Sequence, residues 1–234
     1  MIRRHDFNSR WWGSEVGIVD DQAFFALPPA ARERALAPYA WVESKGSLAA
    51  ARASRVAAAG FFPVDVQLAF RIGLAQLRSS PSLDRLEVVF ADEEPLVVEE
   101  RLVADFEHER FHALPGITRE RVNARYALWA RELVSVSPAT CLAVREGGDV
   151  QGWFLSLRSE KGLHLTLAML ARDARISGHS LYQRALLAYA ERGQRLGFAE
   201  FSATNTAVHN IYASLGARFL APLACWMWLP PARA

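Results

Sequence analysis

The sequence predicts an α/β or α+β protein built around a mixed β-sheet. Apolar and polar residues alternate over residues 61–71, which is the period of a half-buried strand. Apolar residues recur at helical spacing over residues 119–134. Two apolar segments flank residues 146–149, whose sequence Glu-Gly-Gly-Asp is typical of a hairpin turn. Helices and strands therefore follow one another in mixed order, as in proteins that pack helices against a mixed sheet.

The first half of the chain holds short elements separated by glycine and proline. A helix over residues 48–59 is predicted to stop at Gly60, because glycine tolerates the positive φ of a helix end. A second helix begins just after the proline pair at residues 28–29. The strands predicted in this half are 16–19, 41–44, 61–71 and 86–90, and the helices are 30–36, 48–59 and 99–108.

The second half has a more regular order of elements. Its predicted strands are 140–145, 150–158, 162–170, 198–203 and 218–229, the last interrupted by Pro222. Its predicted helices are 119–134, 181–196 and 207–214. No repeat of fixed period is evident in the chain.

The composition excludes several classes of protein. The chain has 234 residues, of which 51% are hydrophobic and 22% charged, unlike a disordered chain or a coiled coil. The net charge of +2 and the lack of a long basic run argue against a nucleic-acid partner. The two cysteines form neither a disulfide framework nor a zinc motif, so we expect no metal. Without a signal-like start or a membrane-spanning apolar stretch, we expect a cytoplasmic protein with no membrane partner.

The segment between residues 170 and 181 has the character of an anion-binding loop. An apolar strand runs into this loop, whose small residues open a long helix. The first N–H groups of a helix are unpaired, and the helix dipole favours negative charge there. Gly178 and Ser180 would let a phosphate approach the backbone closely, so the loop predicts a pyrophosphate site. An ordinary strand–loop–helix junction is the alternative that these residues leave open.

A second candidate segment contains Asn205 and Tyr212. The two residues are seven positions apart, close to two helical turns, so they share one helix face. A phenol has an ordinary pKa near 10 and can donate a proton to a strong base. The alternative is a helix-capping asparagine followed by a half-buried tyrosine.

Taken together, the two segments resemble the GCN5-related N-acetyltransferases. Arg175-x-x-Gly178-x-Ser180 is similar to their (Gln/Arg)-x-x-Gly-x-(Gly/Ala) loop. The second segment, similar to their Asn-x-x-Ala-x-x-Leu-Tyr-x-x-x-Gly-Phe pattern, is Asn205-x-x-Val208-x-x-Ile211-Tyr212-x-x-Leu215-Gly216-Ala217. The departures, at positions 180, 208 and 217, all place small or apolar residues. The resemblance covers roughly residues 95–234.

Three further segments look like the acetyltransferases that act on dTDP-4-amino-4,6-dideoxygalactose (dTDP-fucosamine). Residues 7–13 look like their Ser-x-Phe-Phe-Gly opening, and residues 59–65 are similar to their Leu-Gly-Phe-x-Leu-Val-(Asp/Glu) segment. Residues 109–112, followed by Tyr126 and Trp129, look like their Ser-Arg-Phe…Tyr-x-x-Trp stretch. This resemblance implies a truncated acetyltransferase-like N-terminal domain over residues 1–90 and a catalytic domain over residues 91–234.

The resemblance also implies a fold and a cofactor site. The fold is a mixed, mostly antiparallel sheet flanked by helices, with a gap between its fourth and fifth strands that admits pantetheine. Acetyl-CoA is the expected co-substrate, and its arm would pair with the main chain of Met169 and Leu170. Asn205 would bond the arm, and Tyr212 would protonate the leaving thiolate as general acid. The residues whose N–H groups would hold the pyrophosphate are Arg175, Ile176, Ser177, Gly178, His179 and Ser180.

The implied reaction is an acyl-CoA-dependent N-acyl transfer to the amine of a nucleotide-linked amino sugar. Asp65 is the candidate base or amine-orienting group, with a surface carboxylate as the alternative. Arg110 and, more weakly, Lys45 are candidates for binding the nucleotide phosphates, with solvent-facing cations as the alternative. Two other functions stay open: transfer to a protein N-terminus, polyamine or small metabolite, and a domain that binds acyl-CoA without catalysis. A homodimer is an open alternative to the monomer.

Overall fold

A computed structural model describes residues 1–231 of the chain. The residues group into two compact units that are not contiguous in sequence. The first unit comprises Met1–Leu68, Glu109–Ala113 and the chain from Ala221 onward, and the second comprises Ala69–His108 and Leu114–Leu220. The expected domain boundary at residue 90 stays a prediction. The compact units have different bounds because the last strand of the chain pairs with strands of the first unit.

Eleven strands and six α-helices are described. The strands are β1 (Ile2–Arg4), β2 (Val16–Val19), β3 (Trp41–Ser47), β4 (Phe62–Gly73), β5 (Leu86–Phe90), β6 (Cys141–Glu146), β7 (Asp149–Ser159), β8 (Gly162–Leu170), β9 (Leu196–Ser202), β10 (Arg218–Phe219) and β11 (Leu223–Trp228). The helices are α1 (Asp6–Trp12), α2 (Pro29–Leu36), α3 (Ala50–Ala58), α4 (Arg119–Val136), α5 (Gly178–Glu191) and α6 (Thr206–Ser214).

In the first unit the strand order is β1-β2-β3-β11-β4. The pairs are antiparallel except for β2 and β3, which run parallel. One face carries an apolar cluster to which α3 contributes Val56, packed with Val42 of β3 and Trp226 of β11. Side chains alternate between faces along a strand, so Glu43 and Lys45 of β3 lie on the opposite face from Val42.

In the second unit the strand order is β9-β8-β7-β6-β5, and β4 lies beside β9. The pairs from β5 to β8 are antiparallel, β8 and β9 are parallel, and β10 pairs antiparallel with β4. The core on one side of these strands is packed by α5, which contributes Leu181 and Leu186, and by α6, which contributes Tyr212. The mixed, mostly antiparallel character predicted from the sequence is confirmed.

Helix α5 starts earlier than the predicted helix 181–196. The Ser177 hydroxyl accepts a hydrogen bond from Ser180 N–H at 3.1 Å and caps the helix, which then begins at Gly178. The helix ends at Glu191, and Gly193 follows with a left-handed φ of 79°. The predicted end at residue 196 was therefore wrong, because the chain leaves the helix at this glycine.

The predicted helix over residues 99–108 was also wrong. Only a 3₁₀ turn, Glu100–Leu102, is present, and Val103 forms an isolated bridge with Ala171. The backbone here bonds the chain at the end of β8: Ala104 N–H donates to the Leu170 carbonyl at 3.1 Å. This pairing at long sequence separation replaces the helical bonds that the local pattern favoured.

The single strand predicted over residues 218–229 is two strands, β10 and β11. Pro222 lies between them and has no N–H for a ladder bond. Strand β1 and helix α1 were not predicted. The His5 side chain caps α1 by accepting from Asn8 N–H, and histidine is not among the residues that usually signal a helix start.

Gly152 of β7 is a position where the packing requires glycine. A Cβ there would lie 2.5 Å from the Met169 carbonyl oxygen and 2.9 Å from Leu181 Cδ2. We expect Gly152→Ala to lower the free energy of unfolding by about 1–3 kcal/mol. Thermal or urea unfolding measures this, with Gly73→Ala as the matched control, since its nearest atoms are 3.9 Å away. Equal stability of the two variants would contradict the packing at Gly152.

Three findings bear on membranes, metals and disulfides. Across residues 1–231, no helix is both long enough and apolar enough to cross a bilayer. The same residues contain no group of three or more His, Cys, Asp or Glu side chains placed to hold a metal ion. Cys141 and Cys225 are both buried as free thiols.

Candidate functional site

Strands β8 and β9 separate after a short paired stretch. They are in register at two positions, Leu163 with Gly197 and His164 with Phe198. Strand β8 continues to Leu170, and β9 continues to Ser202. In the part of the chain that the structure describes, no further pair joins these strands, so an open gap lies between their carboxyl-terminal parts.

The main chain of β8 presents polar groups to this gap. Ala171 N–H donates to the Gln151 carbonyl on the β7 side, whereas the Leu170 carbonyl accepts from Ala104 on the other side. Because backbone polar groups alternate in direction along a strand, those of Ala168 point the same way as those of Leu170, into the gap. Met169, which is in register with Trp153, turns its main-chain groups toward β7. The main-chain contact of the cofactor arm with Met169 and Leu170 stays a prediction; of these two residues, Leu170 has main-chain groups that face the gap.

Four consecutive N–H groups lie unpaired at the start of α5. Within residues 1–231, the N–H groups of Ile176, Ser177, Gly178 and His179 make no hydrogen bond. Arg175 N–H instead donates to Gln151 Oε1 at 2.7 Å, and Ser180 N–H donates to Ser177 Oγ. The first and last N–H groups of the predicted six-donor loop therefore have protein partners, and pyrophosphate binding by the loop stays a prediction.

Gly178 brings the start of α5 close to α6. A Cβ at this position would lie 3.3 Å from Ile211 Cδ1 of α6. The Arg175 side chain does not turn toward these unpaired N–H groups; its Nη2 lies 2.6 Å from Oδ2 of Asp149, the first residue of β7. An anion bound at the start of α5 would therefore be held by backbone N–H groups and the helix dipole, without the Arg175 side chain.

Tyr212 is held by aromatic rings of the second unit. It is 3% exposed, and its ring centroid lies 3.9 Å from that of Phe70 and 5.2 Å from that of Tyr182. Burial raises the pKa of the Tyr212 phenol well above 10, and the nearby Tyr182 adds to this effect. Among the described residues its hydroxyl has no hydrogen-bond partner. The phenol therefore stays protonated at neutral pH, with its proton available to a ligand.

Asn205 is the N-cap of α6. Its Oδ1 accepts a hydrogen bond from Val208 N–H at 3.1 Å. The capping alternative described above is thus present in the structure. The side-chain Nδ2 has no partner among the described residues, so a hydrogen bond to a ligand remains compatible with the cap.

In the first unit, Asp65 and Lys45 flank a buried thiol. Cys225 of β11 is in register with Lys45 on one side and Asp65 on the other, so the three side chains share one face. Burial raises the pKa of the Cys225 thiol to about 11, while Arg110 and Lys45 act to lower it and Asp65 and Glu43 to raise it. Two cations and two carboxylates therefore act on the pKa of this thiol.

Arg110 is held by a buried carboxylate. Its Nε and Nη2 both lie 3.2 Å from Glu43 Oε2, and its guanidinium lies over the Phe111 ring at 4.5 Å. The other oxygen of Glu43 lies 3.3 Å from Asn8 Nδ2 and 3.4 Å from His5 Nε2. Arg110 is therefore a neutralised, oriented cation rather than a solvent-facing one.

Glu43 was not singled out from the sequence. The period-two pattern of β3 places it on the same face as Lys45, which was the available signal. Its contacts with Asn8 and Arg110 join residues 35 and 67 positions apart, which the sequence pattern does not encode.

The predicted site residues fall into two sets. The second unit contains the predicted anion-binding loop together with Met169, Leu170, Asn205 and Tyr212. Asp65, Lys45 and Arg110 belong to the first unit, where the structure brings them together around Cys225.

No protein-family model and no curated protein matches the sequence. Solved structures do match. A GCN5-related N-acetyltransferase from Sphaerobacter thermophilus superposes with a TM-score of 0.53 at 18% identity, over 80% of this chain and 59% of that one. A GCN5-related N-acetyltransferase from Kribbella flavida superposes with a TM-score of 0.53 at 13% identity, over 94% of this chain and 82% of that one.

A third structure contains a GCN5-related glucosamine N-acetyltransferase region within a fungal multi-domain GH3 β-N-acetylglucosaminidase. It gives a TM-score of 0.63 at 9% identity, over 97% of this chain and 31% of that one. This chain thus spans less than two thirds of two of the three proteins. At such identities the likeness concerns the fold: this chain has the GCN5-related N-acetyltransferase fold, as the sequence resemblance implied.

Proposed function

We propose that this chain transfers an acetyl group from acetyl-CoA to an amine. The observation that carries the proposal is the open gap between β8 and β9, with unpaired N–H groups of α5 near its end and Tyr212 packed beside it. The N–H groups of residues 176–179 would bind the pyrophosphate. The main chain of Ala168 and the N–H of Leu170, whose carbonyl already accepts from Ala104 N–H, would hold the pantetheine arm, and the Asn205 amide would bond it.

The reaction needs no covalent enzyme intermediate. The amine nitrogen attacks the thioester carbonyl, the new C–N bond forms, the C–S bond breaks and the sulfur leaves with the electron pair. The N–H of Ala168, which faces the gap, would donate to the oxyanion that develops on the carbonyl. The amine must be neutral to attack, so a base or a water chain must accept its proton.

Tyr212 would donate its proton to the leaving sulfur. Burial raises the pKa of its phenol, which alone would make it a weaker acid. The CoA thiolate would form in the same water-poor surroundings, where its own pKa is raised for the same reason. Burial therefore penalises both anions, and it does not by itself prevent proton transfer from phenol to sulfur.

We propose a nucleotide-linked amino sugar as the acceptor. Lys45, and Arg110 within its pair with Glu43, carry positive charges that would suit nucleotide phosphates. Asp65, on the same face as Lys45, would accept the proton of the amine or orient it. The segments resembling the dTDP-sugar acetyltransferases support this choice. The fungal region with the same fold is described as a glucosamine N-acetyltransferase, which shows that the fold accepts an amino sugar in that protein.

Free-thiol release from acetyl-CoA tests the acceptor directly. The panel is dTDP- and UDP-linked amino sugars, spermidine and short peptides, with the N-acetylated forms of the same sugars as controls lacking a free amine. We expect thiol release with a nucleotide-linked amino sugar and none with its acetylated control. Release with spermidine or peptides alone would overturn the sugar assignment and leave the acyl transfer standing.

A further inference from the structure

Three tyrosines of the second-unit core differ in what their hydroxyls contact. Tyr189 Oη lies 2.8 Å from the Thr140 carbonyl oxygen and 2.9 Å from that of Phe154, so its proton has protein acceptors. Within residues 1–231, the hydroxyls of Tyr182 and Tyr212 have no hydrogen-bond partner. Some side-chain oxygen and nitrogen atoms are fully enclosed and lack a partner, but the hydroxyl oxygens of Tyr182 and Tyr212 are not among them. Both hydroxyls are therefore open to a ligand or to water.

The rings of Tyr182 and Tyr212 are largely buried in one apolar cluster, yet each carries a hydroxyl that no protein group engages. Tyr182 is 9% exposed, and burial raises the pKa of its phenol. Phenylalanine would fill the same apolar space without the unpaired hydroxyl. The hydroxyl of Tyr182 is therefore suited to a partner that the protein itself does not supply.

The ring contacts place Tyr182 beside β7 and Tyr212 beside β4 and β9, within one apolar cluster. The Tyr182 ring packs at 5.2 Å against Phe154, which is in register with Ala168 of β8. The Tyr212 ring packs at 3.9 Å against Phe70 of β4 and at 6.0 Å against Phe201 of β9. The ring centroids of Tyr182 and Tyr212 are 5.2 Å apart in an edge-on contact, so the two rings touch and a ligand group that reaches one phenol lies beside the other.

Helix α5 links Tyr182 to the unpaired N–H groups. Tyr182 lies four residues after Gly178, which is about one helical turn or 6 Å along the axis. The first turn of α5 presents N–H groups suited to an anion, and the second carries Tyr182, whose ring contacts that of Tyr212. A ligand that binds both the helix start and Tyr212 therefore runs close to Tyr182.

We propose that Tyr182 is a second residue of the acyl-transfer site, whose hydroxyl donates a hydrogen bond to the CoA sulfur while Tyr212 protonates it. This rests on the proposed function. The C–S bond breaks, the sulfur takes the electron pair, and the Tyr212 proton moves to it. Tyr182 keeps its proton and stabilises the charge that develops on the sulfur before that transfer.

The test compares Tyr182→Phe with Tyr189→Phe, which removes a hydroxyl that already has protein partners. We expect Tyr182→Phe to lower kcat about 10- to 100-fold, the value of one hydrogen bond to a charged group, while the KM of the amine stays unchanged. Calorimetry adds a second measurement, the ratio of the Kd values of desulfo-CoA and CoA. This ratio reports what the sulfur contributes to binding, so a purely structural role of Tyr182 would leave it unchanged. We expect this ratio to fall toward one in Tyr182→Phe and to keep its wild-type value in Tyr189→Phe.

The outcomes separate this proposal from the proposed function. Tyr182→Phe with wild-type kcat and a wild-type Kd ratio would overturn the role of Tyr182 and leave the acyltransferase proposal standing. If the wild-type chain binds neither CoA nor desulfo-CoA, both proposals fail. A lower unfolding temperature in Tyr182→Phe with an unchanged Kd ratio would show a packing role and would also overturn the proposal.

Discussion

Tyr212→Phe is expected to lower kcat for acetyl transfer by about 100- to 10,000-fold, while the Kd of acetyl-CoA stays near its wild-type value. The ring of Tyr212 fills the space between Phe70 and Tyr182, and phenylalanine keeps that packing. The hydroxyl, which has no partner among the described residues, is the only group removed. Thiol release measures kcat, and calorimetry measures the Kd.

The control for Tyr212→Phe is Tyr189→Phe, since Tyr189 donates to backbone carbonyls and faces no ligand. That variant should lose stability and keep its rate. If Tyr212→Phe turned over at the wild-type rate, the general-acid role would be removed. If wild type and variant both bound acetyl-CoA and neither turned over any amine, the non-catalytic binding domain would become the better account.

The pH dependence of the rate follows from the direction of the Tyr212 pKa. Its folded pKa lies above the ordinary value of 10, so the acid form is complete below pH 10 and is lost only as the pH rises through that higher value. We therefore expect the rate to rise as the acceptor ammonium deprotonates and to show no fall below pH 10 from Tyr212. A fall near neutral pH that disappears in Tyr212→Phe would contradict the raised pKa.

Gly178→Pro is expected to weaken acetyl-CoA binding by about tenfold or more and to leave the fold intact. Proline lacks an N–H, and the Gly178 N–H is one of the four unpaired donors proposed to hold the pyrophosphate. A hydrogen bond to a charged group is worth about 1.5–3 kcal/mol, which sets the size of the loss. Calorimetric titration with acetyl-CoA measures it.

The position suits proline. Gly178 is the first residue of α5, where proline is well tolerated, and Ser177 before it is extended with φ −74° and ψ 156°. The matched control is Gly178→Ala, which keeps the N–H and adds a Cβ 3.3 Å from the mobile end of Ile211. Equal affinities of the two variants for acetyl-CoA would contradict an N–H contact at this residue.

The regular elements of the fold could be predicted where their pattern is local and strong. Strands Leu86–Phe90 and Gly162–Leu170 have the bounds read from the sequence, because unbroken apolar or alternating runs end there at turns. Helix α4 differs from its prediction by two residues at one end. In each case the periodicity within one segment is enough to predict the type and the bounds of the element.

Elements that depend on distant partners could not be predicted. Residues 99–108 look helical by themselves, yet Val103 and its neighbours pair with the chain at the end of β8. The position of β11 between β3 and β4 likewise brings the end of the chain beside strands from its first third. Neither arrangement leaves a periodic signal in the sequence.

Only part of the candidate site could be predicted, because the rest of it also depends on contacts between residues that are distant in the sequence. Tyr212 and the α5 loop carry residue types and spacing that point to chemistry. Which N–H groups remain unpaired is decided by Gln151, a residue 24 positions from Arg175. Glu43 and Tyr182 gain their significance from neighbours in space, so their roles emerge only when the hydrogen bonds and ring contacts are known.

A crystal structure of this chain with bound CoA tests the central claim most directly. We expect the pyrophosphate at the N–H groups of Ile176, Ser177, Gly178 and His179, and the pantetheine arm between β8 and β9. We expect the sulfur within hydrogen-bond distance of Tyr212 Oη. Density for CoA outside the β8–β9 gap, or a gap closed by pairing of the two strands in crystals grown with saturating CoA, would contradict the account.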